Sequence, residues 1–154
     1  MGKETPHIEA SALAEVARSC LCLGVRQTAR VITQVYDDFL QPSGLRTTQF
    51  NLLVAVALAQ EMPLTRLAEI LLMDRTTLAR NLKPLERQEL LVIETGTDRR
   101  VHLVRMTSHG LQVLQEALPY WRQAQEQVRT RLGQEEWDAF SAHLQVAMGR
   151  IPPS

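Results

Sequence analysis

The chain has 154 residues, 45% of them hydrophobic and 22% charged, with 17 Lys and Arg set against 17 Asp and Glu. That length can bury a core without disulfide or metal staples, and that composition excludes global disorder. Apolar runs such as Leu52 to Ala59 are too short to cross a bilayer, and the opening MGKETPHIEA lacks the apolar stretch of a secretion signal. Two cysteines, Cys20 and Cys22, cannot build a disulfide framework, so the reducing cytoplasm is the expected compartment.

From Glu9 to Leu40 the pattern is helical: Leu13, Val16, Cys20, Leu23, Ala29, Ile32, Tyr36 and Phe39 recur at three- and four-residue steps. Gly24 is the expected point of bending or division. Gln41 to Gly44 is a stop-and-turn signal. Thr47 is the expected cap of a second helix, and its run from Phe50 to Ala59, apolar nearly all round, is expected to be buried. Pro63 opens a short third helix, Leu64 to Leu72. Asp74 is a good N-cap for a fourth, Arg75 to about Gln88.

Two β-prone stretches, Val92 to Thr95 and Val101 to Met106, flank Gly96 to Arg100 and predict a hairpin. Thr107 caps the last long helical region. There Leu111, Leu118, Gln125 and Leu132 fall seven apart, with Leu114, Trp121 and Val128 spaced the same way between them. Pro119 predicts a kink and Gly133 an end. Glu135 to Met148 follows as an amphipathic helix with Trp137, Phe140, Leu144 and Met148 on its apolar side. The heptad stripe fits an internal seam or a dimer interface. The dimer is favoured, because a small domain has little else to cover so long a stripe.

Charge is uneven even though it balances. Between residues 75 and 105 lie seven bases (Arg75, Arg80, Lys83, Arg87, Arg99, Arg100, Arg105) and four acids (Glu86, Glu89, Glu94, Asp98). The order helix, turn, helix, hairpin over residues 64 to 110 is that of a winged DNA reader. Leu67 and small Ala68 suit a bracing helix, Met73 and Asp74 the turn, and Leu78, Leu82 and Leu85 the buried stripe of a recognition helix. The face left over shows Arg75, Thr76, Thr77, Arg80 and Asn81. Arg can pair with guanine, Asn with adenine, and Thr with phosphates or base edges. At the hairpin tip Arg99 and Arg100 have the charge that minor-groove potential attracts. Asp98 is repelled by phosphates, so its expected task is to hold an arginine by a charge-assisted hydrogen bond.

Leu67 to Gly110 resembles the winged helix-turn-helix of the MarR family of bacterial transcription regulators. The matching residues are Leu67, Ala68 and Glu69; Arg75 to Arg80; Leu85 and Glu86; Asp98, Arg99 and Arg100; and Thr107 to Gly110. Upstream, Arg30 to Thr33, Tyr36 and Asp37, and Gly44 to Phe50 are similar as well, so the likeness runs from about residue 15 to 148. The Asp-Arg-Arg wing is its most specific element.

The resemblance implies a mainly α, single-domain chain over 1–154. Its dimerisation helices would be 9–46 and 107–150, around a winged helix-turn-helix at 47–106. It implies a homodimeric repressor on a pseudo-palindromic double-stranded operator, released by a small phenolic or other anionic effector or by thiol oxidation. In it Asp98 would orient Arg100 into the minor groove. The chain departs from many relatives at Glu89, where they have Gly, and Pro84 removes one hydrogen bond from the recognition helix.

Cys20 and Cys22, two apart on an expected helix, would point about 200° apart and could not bridge while that helix persists. The spacing Cys22, Arg30, Tyr36 is similar to that around the reactive cysteine of the organic-peroxide-sensing branch of the family, with Arg26 where a nearer tyrosine stands. Cys22, Arg26 and Tyr36 are therefore candidate effector or redox residues, against plain packing roles for the thiols. His7, His102, His109 and His143 are scattered without metal-ligand spacing, and no cofactor motif or catalytic constellation is present. An enzyme is not expected. A helical interaction module without DNA binding is the other alternative, but it would have no use for the wing arginines.

Overall fold

The computed structural model describes residues 8–151; His7 lies outside the described residues. The chain divides into two units, residues 1–34 and 35–154. In the first, helix α1 (Ala10–Ser19) is followed by most of α2 (Leu21–Leu40). The expected long helix is interrupted at Cys20 (φ −69°, ψ 102°) and not at Gly24, which lies inside α2. Ser19 contributes to the break, since its hydroxyl donates to the Glu15 carbonyl at 2.8 Å and so competes for the acceptor of the last turn.

A 3₁₀ turn (Gln41–Ser43) closed by Gly44 at φ 73° leads to α3 (Thr47–Ala59). Arg46, not Thr47, is the N-cap of α3, its N–H donating to the Gln49 side chain at 2.9 Å. Thr47 is already helical, and the Asp37 carboxylate serves the exposed helix end instead. Oδ1 accepts both the Thr47 N–H and the Thr47 hydroxyl at 2.7 Å. The capping group thus comes from ten residues upstream, beyond the reach of a local cap search. Burial of α3 is close to the expectation: Phe50, Leu52, Leu53 and Val56 are buried, but Leu58 remains 82% exposed.

Strand β1 (Glu61–Pro63) then precedes α4 (Leu64–Ile70) and α5 (Arg75–Arg87). β1 is absent from the sequence reading, because three residues ending in proline carry no alternation of their own. It exists by pairing with β3, Met62 opposite Val104. The hairpin is β2 (Leu91–Thr95) and β3 (His102–Met106), and the antiparallel sheet runs β1-β3-β2. α6 (Ser108–Leu132) continues through Pro119 as one helix, and after Gly133 (φ 83°) comes α7 (Gln134–Arg150).

The core gathers Leu53 and Val56 of α3, Leu67 of α4, Leu78, Leu82 and Leu85 of α5, Leu91 and Val104 of the sheet, and Leu114 and Ala117 of α6. Phe50 stacks on Trp121, ring centroids 6.2 Å apart. The heptad stripe of α6 divides between its two readings. Leu114 and Val128 are buried within the chain, while Leu111 and Leu132 remain exposed.

Candidate nucleic-acid interface

α4 and α5 meet through a tight turn in which Leu72 takes φ 50° and the Met73 N–H donates to the Ala68 carbonyl at 2.9 Å. Asp74 starts α5 as expected. Its carboxylate accepts the Thr77 N–H at 2.9 Å and the Thr77 hydroxyl at 2.6 Å. The Thr77 hydroxyl and then its N–H hold this carboxyl below its ordinary range. Leu78, Leu82 and Leu85 are buried at 1% exposure or less, which fixes the opposite face toward solvent.

That outer face carries Arg75, Thr76 and Arg80, all exposed. The other two expected contacts are drawn toward the scaffold. Thr77 is half-buried with its hydroxyl donating to Asp74. Asn81 is half-buried, and its amide lies 4.0 Å from the Met73 sulfur.

At the hairpin tip the Asp98 carboxylate accepts the backbone N–H of Arg100 at 2.9 Å. The Val101 N–H donates to the Asp98 carbonyl at 2.9 Å, and the Gly96 N–H to the Val101 carbonyl at 2.8 Å. The expected bond from Asp98 to an arginine side chain is replaced by one to the main chain. A short acid two residues before an N–H closes an Asx turn and shapes the loop, so both guanidinium groups stay exposed. Among the described residues, Arg75, Arg80, Arg99 and Arg100 form no ion pair. The wing's ion pair lies lower, between Glu94 and Arg105 at 3.1 Å, and it raises the Arg105 pKa.

A cavity of about 340 Å³ opens between α5 and the wing, lined by Arg75, Leu78 and Ala79 on one side and by Arg100, Val101 and His102 on the other. The recognition helix and the hairpin tip are thus brought together. Sequence reasoning missed His102 and the cavity floor of Pro63, Leu64 and Thr65. Only the unforeseen β1, which seats Pro63 opposite Leu103, brings that floor to the wing.

No protein-family model and no curated protein matches the chain. Solved structures do. The transcriptional regulator MosR of M. tuberculosis, crystallised in complex with DNA, is 33% identical over 86% of this chain and 100% of its own, with a TM-score of 0.71. The chain belongs to the MarR family of transcription regulators. A cysteine-to-serine mutant of E. coli MarR complexed with operator DNA shares the fold at 17% identity, covering 87% of this MarR-family chain and 97% of its own, TM-score 0.78. So does BpsR of Bordetella bronchiseptica, whose DNA binding is regulated by 6-hydroxynicotinic acid: 21% identity, 81% and 90% coverage, TM-score 0.73. This is a family of regulators and not of enzymes.

The three candidate effector residues differ in their local surroundings. Cys22 and Arg26 are exposed on α2 within the first unit, as is Cys20 just before it. Tyr36, in the second unit, is half-buried and donates its hydroxyl to Gln125 of α6, and burial raises its pKa. Because the helix is interrupted at Cys20, the geometric objection to a Cys20–Cys22 bridge does not hold. Among the described residues no cluster of His, Cys, Asp or Glu is arranged to hold a metal, and no helix is long and apolar enough to cross a membrane.

Proposed function

We propose that this MarR-family chain is a homodimeric, DNA-binding repressor whose α5 enters the major groove and whose wing reaches the adjacent minor groove. The observation that carries the reading is that Arg75 and Arg100, from helix and wing, line opposite sides of one cleft. Thr76 and Arg80 on the same helix and Arg99 at the same hairpin tip are exposed, as groups that meet phosphates and base edges must be. Asn81 and Thr77 then act less as base readers than as parts of the helix frame, though each keeps acceptor capacity. The DNA complexes of MosR and MarR support the same use of the fold. Exposed Leu13, Val16, Leu111, Leu132 and Met148 support a second copy, and a twofold dimer calls for a pseudo-palindromic site.

Release by a small anionic ligand fits the same cleft. An anion drawn between Arg75, Arg100 and His102 would compete with phosphate for the arginines, and BpsR's response to 6-hydroxynicotinic acid is a precedent within the fold. The test uses a duplex taken from upstream of the chain's own coding sequence. Arg100→Ala should weaken binding about tenfold to a hundredfold with its melting temperature unchanged. Affinity should also fall by several decades over a few-fold rise in salt, as about ten phosphate contacts release counterions. Unchanged affinity in the mutant removes the wing from the interface. A flat salt curve favours the interaction-module reading.

The break at Cys20 favours a second reading, thiol sensing of an organic hydroperoxide. The Cys22 thiolate would attack the peroxide oxygen, giving a sulfenic acid and an alcohol. The Cys20 thiol would displace the sulfenic oxygen as water and leave a disulfide. Stoichiometric organic hydroperoxide should then release DNA from the wild type, with loss of two hydrogens by mass, and not from Cys22→Ser. Release from both proteins, or from neither, takes the thiols out of the mechanism.

A further inference from the structure

Where α5 ends and α6 begins, the two helices are fastened by one small polar clasp. α5 closes in a Schellman turn. The Glu89 N–H donates to the Glu86 carbonyl at 2.9 Å, the Leu90 N–H to the Leu85 carbonyl at 3.0 Å, and Glu89 takes φ 57°. The carbonyls of Glu89 and Leu90, left over by that turn, are both met by Thr107. Its hydroxyl donates to Glu89 at 2.6 Å and lies 3.1 Å from the Leu90 oxygen, and its N–H donates to Leu90 at 3.1 Å. The same hydroxyl accepts the Gly110 N–H at 2.9 Å and so caps α6. Gly110 makes the close approach possible. A Cβ there would lie 1.9 Å from the Leu90 oxygen and 2.7 Å from the Met106 sulfur.

We infer that Thr107 is a positioning residue for DNA reading, which fixes the angle between α6 and the recognition helix and thereby the spacing between half-sites. The inference rests on the DNA-reading function proposed above. The hydrophobic effect is itself non-directional, whereas a hydroxyl that donates to the turn closing one helix and accepts from the first turn of the other sets an orientation. The lever is long. α6 has 25 residues, roughly 37 Å at the standard rise, so a tilt of roughly 5° moves its far end by about 3 Å, close to one base-pair step. Exposed Leu111 and Leu132 lie along that lever, on the face the dimer proposal gives to the partner.

The experiment compares Thr107→Val, which keeps shape and removes the hydroxyl, with Thr107→Ser, which keeps the hydroxyl. The probes are the natural upstream duplex and versions with one base pair inserted or deleted between half-sites. Thr107→Ser should bind within about twofold of wild type, and Thr107→Val about tenfold more weakly, the worth of one directed hydrogen bond. Thr107→Val should also lose discrimination among spacings while its salt dependence stays that of the wild type. Thr107→Ala carries the same expectation should the valine variant not fold. Wild-type spacing discrimination in a variant that only melts earlier would overturn the inference and leave Thr107 a structural cap. A wild type that binds no duplex in a salt-dependent way would instead overturn the DNA-reading function itself.

Discussion

In α3, α4 and α5 the apolar side chains close on one another, so that Leu53, Val56, Leu67, Leu82 and Leu85 have no exposed surface. In α1 and α7 no residue is buried, and α2 buries only Leu40. Leu21 keeps 73% of its surface and Val31 67%, although α2 has the same three- and four-residue apolar spacing as α5. Full burial of a leucine is worth about 1.5–3 kcal/mol, so the winged region holds its own stabilisation within one chain. α1, α2 and α7 have apolar faces whose cover is not found among the described residues. This is the surface that the proposed second copy would bury.

The largest effect that could break this contrast comes from truncating one side chain of each kind. Leu82→Ala should cost about 2–5 kcal/mol in denaturant unfolding, at any protein concentration, because a sealed site cannot collapse onto the void. Leu21→Ser should cost within about 0.5 kcal/mol at high dilution, as surface changes do. It should nevertheless lower the melting temperature at high concentration, where mass action would otherwise stabilise an associated state. Equal, concentration-independent losses would mean that the open faces of α1 and α2 are ordinary solvated surface.

A smaller effect marks where the sealed part begins. Burial alone would push the Asp37 carboxyl up, but the Thr47 N–H and hydroxyl and the Arg46 guanidinium outweigh it and hold the carboxyl below its ordinary 3.8. A carboxyl lowered by folding stabilises fully above that ordinary value, and its contribution is lost as pH falls through the lower folded one. Asp37→Asn should therefore cost about 1–2 kcal/mol at neutral pH, as a lost cap does. It should also flatten the fall of melting temperature with pH below about 4, the ordinary carboxyl range. An unaltered acid profile would move the anchor of α3 away from Asp37.

What was legible in the sequence follows from how local each cause is. Asp74 was found because a cap acts three residues away, and the leucine stripe of α5 because its period is that of the helix. Composition places the wing tip but not its chemistry: Asp98 binds the Arg100 main chain because a two-residue loop closes more easily than a side-chain pair. Strand β1 and the Asp37 cap are not legible along the chain, since they depend on partners tens of residues away or on another helix. The break at Cys20 has no glycine or proline to announce it.

By itself the sequence determined the helix-turn-helix, its capped recognition helix, the arginine-tipped hairpin and the likeness to MarR regulators. Each of these is encoded in residues close together along the chain, where spacing translates directly into geometry. Only the tertiary structure decided which apolar faces close within one chain and which stay open, and that Thr107 ties the end of α5 to the start of α6. These depend on groups that meet in space, and no pattern along the sequence records which carbonyl a hydroxyl will find.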